Sequence, residues 1–153
     1  MAAPNIFVHA VYISTLAFED HRREETGELY LTHGLKVAQA LGPDATVLEL
    51  STAVLHDVLE DTDWTTEDLA ESGVEPTVLE AVETLTRPPD EEHGEFVARI
   101  CATPGVVGRI AQRVKLADLS VNVASAESSE ERQRLERSIP IVRSALEADP
   151  ASH

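Results

Sequence analysis

Cysteine is almost missing from this sequence: Cys101 is the single one in 153 residues. No disulfide can close within the chain, and no set of thiolates can hold a structural zinc ion. Its setting in the apolar run 96–102 is that of a small buried hydrophobe, not a reactive thiol. Long hydrophobic runs are missing too. No stretch approaches the roughly 18 to 20 apolar residues that a membrane-spanning helix requires. Residues 1–12 lack the basic start, apolar centre and small-residue cleavage site of a secretory signal, so a soluble, cytoplasmic protein is the expectation. Basic residues are scarce: 12 Lys and Arg stand against 28 Asp and Glu, a formal charge of −16. The average surface therefore repels nucleic acid, whose binding proteins carry cationic faces. A small anionic ligand is admissible only where a metal ion or a local group of arginines overrides that field.

What is present is a globular composition, 42% hydrophobic and 26% charged, on a length that fits one domain over residues 1–153. There is no repeat, no low-complexity tract and no sustained alternation of strand length, whereas helical periodicity with breaker-rich turns runs throughout. The expected fold is all-α, a bundle of about seven or eight helices. The first spans 6–20 with Phe7, Ala10, Val11, Leu16 and Ala17 inward, followed by a charged turn over 21–28. Thr32 is the expected N-cap of a second helix ending at Gly42 and Pro43, and Asp44 that of a third over 45–60. That third helix, apolar at Ala53, Val54, Leu55, Val58 and Leu59, should be the spine of the domain. Thr65 with Asp68 reads as a capping box, and Pro76 opens a helix to about residue 86. After a loop over 87–92, helices are expected at 93–102 and 106–123. A last one is capped by Ser128 and Glu131, with a kink or break at Pro140. Trp64 should anchor the turn after Asp61, and His9, His93 and His153 read as surface or ordinary packed histidines.

The pair His56-Asp57 interrupts the most apolar helix. A buried carboxylate needs a salt bridge, a hydrogen-bond network or a metal ion, and metal is the remedy that uses both residues. Imidazole with carboxylate suits first-row divalent ions. Glu60 follows His56 by four residues and Asp61 follows Asp57 by four, which extends the polar surface by a helical turn and sets two candidate catalytic carboxylates beside the pair. The alternative is a solvated acidic patch in which Asp61 or Thr62 caps the loop.

The order Tyr30-Leu31-Thr32-His33, then Leu55-His56-Asp57-Val58-Leu59-Glu60-Asp61-Thr62, then Val114-Lys115-Leu116-Ala117-Asp118 with Asn122, resembles the hydrolase domain of RelA/SpoT proteins and the stand-alone small alarmone hydrolases, members of the HD superfamily. The likeness runs over residues 17–123, and Leu85-Thr86-Arg87 with its acidic loop also resembles the single-domain bacterial members. It implies an HD-type helical bundle holding one Mn²⁺ with His33, His56, Asp57 and Asp118, while Glu60 and Asp61 handle the attacking water. It further implies removal of the 3′-pyrophosphate of guanosine tetra- or pentaphosphate, a small anionic nucleotide, with Asn122 lining the nucleoside pocket.

Departures from the pattern fall on substrate positions. The family's lysine before the first histidine is replaced by Glu25, and its following proline by Gly34, leaving Arg22 and Arg23 as the nearest cations able to meet phosphate. Lys115 is a further candidate for phosphate, or pairs with an acidic neighbour. Val121 stands where an acidic or aromatic residue is usual. Arg132, Arg134, Arg137 and Arg143 read as the exposed face of the last helix. Hydrolysis of adenosine-type alarmones or other nucleotides, and nucleotide binding without turnover, stay open beside the guanosine reading.

Overall fold

Local signals start most of the helices. In the computed structural model, which describes residues 5–19, 21–24 and 27–148, these are α1 (Ile6–Phe18), α2 (Tyr30–Ala40), α3 (Val47–Leu55), α4 (Val58–Asp61), α5 (Thr66–Glu71), α6 (Pro76–Thr84), α7 (His93–Ala102), α8 (Gly105–Ser125) and α9 (Ser129–Ala148). No strand occurs among the described residues beyond one isolated bridge, Arg22 to Leu29. The fold is the all-helical one expected. The count exceeds the expected seven or eight because the helix foreseen over 45–60 is interrupted at His56 and Asp57; α3 and α4 taken as one restore eight. Glu25 and His153 lie outside the described residues.

Capping boxes explain two starts: Thr65 with Asp68 opens α5 as expected, and Thr46 with Glu49 opens α3 in place of the expected Asp44. Thr32 is not a cap but lies inside α2, whose N-cap, Leu29, makes no side-chain cap bond. Tertiary contacts set that start instead: the Leu29 backbone pairs with Arg22, and the Tyr30 ring stacks on Phe18 with centroids 5.0 Å apart. Pro140 does not break α9, which runs through it. Proline there deprives the Glu136 carbonyl of its helical donor, but both residues are exposed, so the loss falls on the solvent side of the helix.

The main core gathers around α3, which packs against α1, α2, α6 and α8, with Ala53, Val54, Leu55 and Val58 buried. Trp64 packs on its edge, and α1 turns Ile13 and Phe18 inward while Leu16, expected inside, is exposed. A smaller cluster of Val97, Leu119, Leu135 and Val142 fixes α9 to α7 and α8, with half-buried Cys101 against it. Burial pushes the Cys101 thiol up from its ordinary range, which disfavours the thiolate.

Two features bring α2, α3 and α8 together. Gly34 on α2 faces α3 so closely that a Cβ would stand 3.1 Å from the Val54 Cα. The buried Glu49 of α3 pairs with Arg113 of α8, whose NH2 donates to the Leu41 carbonyl at the end of α2 at 3.3 Å. One ion pair thus locks the register of three helices, and each of the three leads to a site residue.

Candidate metal centre

His33 projects from the first turns of α2, one residue before the close approach at Gly34. His56 and Asp57 occupy the break between α3 and α4, where Asp57 has φ −98° and ψ −2°. These angles fall in the sparsely populated bridge region that active-site residues often adopt. Asp118 comes from the middle of α8. The four side chains converge: His33 Nε2 is 3.1 Å from Asp118 Oδ1 and 3.8 Å from Asp57 Oδ2, and His56 Nε2 is 3.3 Å from both Asp57 Oδ1 and Asp118 Oδ1. His33, His56 and Asp118 are buried, and Asp57 is half-buried.

The donors fit a divalent cation. Two imidazole nitrogens and two carboxylates suit manganese or its first-row neighbours. His56 Nδ1–H donates to the Ala53 carbonyl at 2.6 Å, an outer bond that turns Nε2 inward as a ligand lone pair requires. His33 Nδ1 meets Arg23 NH1 at 2.7 Å. A guanidinium only donates, so ligation through His33 Nε2 requires Arg23 to leave that contact and Nδ1 to take the proton. Burial works against charge on His56, yet the charges of Asp57 and Asp118, with the bonds to Asp118 and Ala53, outweigh it and push His56 up to about 10. Burial likewise opposes ionisation of Asp118. Lys115, at 3.3 Å from Oδ2, and bonds from both histidines hold its carboxyl well below the usual range. The interior of the cluster is built for positive charge.

Beside it lies a cavity of about 230 Å³ lined by all four residues and by Glu60, Asp61, Arg23, Lys115 and Asn122. Asp57, Glu60 and Asp61 form a second group of carboxylates with oxygens within 4.8 Å of one another. Burial, then the Asp57 charge, raises Glu60 above its ordinary value, although the Arg87 backbone N–H donates to its Oε1 at 2.6 Å. Burial and the Asp57 and Glu60 charges push Asp61 up to about 7. Asn122 Nδ2 donates to Asp118 Oδ1 at 3.2 Å. Arg22 is exposed, bonds the Gly27 carbonyl and does not line this cavity, and Val121 lines a neighbouring one that shares Arg23. Sequence reasoning missed His93 and Arg87, which do line it. The signals were the Leu85-Thr86-Arg87 likeness for Arg87 and, for both, their place at the two ends of the polar loop before α7.

Fold and site together define an all-helical protein with a histidine–carboxylate cluster at the centre of its bundle. In a structural comparison it resembles a metazoan ortholog of SpoT, described as hydrolysing ppGpp and playing a role in starvation responses, with a TM-score of 0.75 and 22% identity over 99% of this chain and 91% of that one. No protein-family model matches the sequence, and no curated protein matches it. The likeness therefore establishes the fold, and the chemistry has to be argued from the site.

Proposed function

We propose that this protein is a metal-dependent phosphohydrolase that removes the 3′-pyrophosphate of guanosine tetra- or pentaphosphate, giving GDP or GTP and pyrophosphate. The observation that carries this reading is the convergence of His33, His56, Asp57 and Asp118 from three helices beside a cavity that also holds Glu60 and Asp61. The structural neighbour, described as hydrolysing ppGpp, supports the substrate class. Manganese is the proposed ion, and a cytoplasmic location and a single domain over residues 1–153 belong to the same reading.

The four residues would hold the cation, which when bound supplies Lewis-acid charge to the phosphoryl oxygens and acidifies water. Water adds to the phosphorus attached to the ribose 3′ oxygen, that P–O bond breaks, and pyrophosphate leaves intact while the nucleoside keeps a 3′-hydroxyl. Asp61, raised toward neutrality, takes the proton of the attacking water. Glu60, oriented by the Arg87 N–H, holds that water in line. Lys115 and Arg23 meet phosphate oxygens, and Asn122 positions the nucleoside end. Arg22 has no place in this account.

Purified protein loaded with manganese should convert guanosine tetraphosphate to GDP and pyrophosphate, followed by anion-exchange chromatography. Asp57→Ala should lose bound metal by mass-spectrometric metal analysis and at least about 100-fold in turnover, in line with loss of a metal acting as Lewis acid. Parent-like turnover by Asp57→Ala would overturn the assignment.

A further inference from the structure

A second cavity, of about 250 Å³, shares no residue with the one beside the metal cluster. It lies between the start of α1, the second half of α3 and the turn from α5 to α6, and its walls are largely aliphatic: Ile6, Ala10, Leu55, Val74 and Val78. One buried polar group on that wall lacks a partner. Ser51 of α3 is fully buried and lines the cavity, and its hydroxyl bonds to nothing among the described residues. A hydroxyl inside a helix can return to the carbonyl four residues back, as that of Thr52 does toward Leu48 at 2.8 Å, but that of Ser51 does not. The other polar side chains on the wall are engaged with the fold: His9 Nε2–H donates to the Ser72 carbonyl at 2.7 Å, and Glu75 Oε2 accepts from the Val78 backbone N–H at 3.1 Å. An apolar body that carries one acceptor suits such a wall, because it covers the aliphatic part and meets the unpartnered donor.

We propose that this cavity is a binding site for a small neutral molecule, an apolar body of about one ring carrying one oxygen that accepts a hydrogen bond from the Ser51 hydroxyl. Size sets the body. A core cavity of about 150 Å³ takes up benzene, so one of about 250 Å³ holds a ring with a short polar arm. Charge sets the class. Among the described residues no lysine or arginine lines the cavity, Glu75 does, and the chain carries −16, so an anion meets repulsion that no cation offsets. A cation would leave water for aliphatic walls, where the Glu75 carboxylate is already bonded to the first turn of α6. The site requires neither a metal nor the hydrolase reading.

The test titrates toluene, benzyl alcohol, benzylamine and benzoate into the protein at neutral pH in the presence of EDTA and follows backbone amide shifts by NMR. Toluene and benzyl alcohol should bind saturably, with the shifts gathered around Ala10, Ser51 and Val78, and the two charged compounds should not. Ser51→Ala should weaken benzyl alcohol about fivefold, the effect of one hydrogen bond, and leave toluene within about twofold of parent. Ala10→Leu, which fills the cavity, should abolish binding of both while the helical circular dichroism stays that of parent. The site is overturned if neither neutral compound saturates, if the shifts gather elsewhere, if folded Ala10→Leu still binds, or if a charged compound binds as tightly as benzyl alcohol. Benzyl alcohol affinity unchanged in Ser51→Ala overturns the hydrogen bond that defines the ligand class. Should Ala10→Leu fail to fold, the shift positions and Ser51→Ala decide the question.

Discussion

Gly34 shows how much can hang on one absent methyl group. A Cβ at this position would press on the Val54 backbone, 3.1 Å from its Cα and 3.4 Å from its carbonyl oxygen, and a helix backbone inside the core cannot swing aside as a side chain can. Gly34→Ala should therefore move α2 outward by a few tenths of an ångström. Because His33 is the adjacent residue, the displacement reaches a metal ligand at once. We expect a loss of about 1–2 kcal/mol in urea unfolding of the metal-free protein, the scale of overpacking, and manganese affinity weakened several-fold by calorimetry. Unchanged affinity with reduced stability would separate packing from ligand placement.

At the scale of elements, α9 shows how a helix can keep residues that disfavour it. Pro140 removes one backbone donor, and since proline costs about 3 kcal/mol relative to alanine in a helix interior, Pro140→Ala should stabilise the protein by about 2 kcal/mol, read from urea denaturation. No gain would mean that the surrounding turn of α9 already accommodates the ring. The joint between α7 and α9 responds to pH through His93. Burial, then the charges of Lys115 and Arg134 from α8 and α9 and of Arg87 from the loop, lowers its pKa below 6.5, while Asp118 acts in the opposite sense. The folded state thus prefers neutral His93. Its contribution to stability is complete above pH 6.5 and is lost as pH falls below 6.5 through the lowered value. Unfolding curves from pH 7.5 down to 5 should show this decline, and His93→Gln, which can still bond Ser138, should flatten it. An identical slope in His93→Gln would place the titration elsewhere.

At the scale of the whole molecule the charge is divided: strongly negative overall, with Arg23, Arg87 and Lys115 lining the cavity beside the metal cluster. That division admits a compact anion and repels a long one. No complex with a 20-base-pair DNA should appear by fluorescence anisotropy at 0.15 M salt with micromolar protein, because few cations are available to replace counterions along a duplex. Saturable binding under those conditions would show that the local cations dominate over a wider surface than the cavities.

Much of the fold was legible in the chain because its signals are local. Thr65 with Asp68, Gly73 after α5 and Pro76 at the start of α6 act within a turn or two of where they stand, and His56-Asp57 announced a polar centre by interrupting an apolar helix. By itself the sequence determined the helical class and the residue types available to a metal. Tertiary structure alone decided the break between α3 and α4, the start of α2 on the Phe18–Tyr30 stack, the exposure of Leu16 and the arrival of His93 and Arg134 beside the site. The physical reason is range: capping and periodicity act between neighbours along the chain. Burial and electrostatic fields depend instead on which distant segments meet, and a periodicity of 3.6 residues cannot state that.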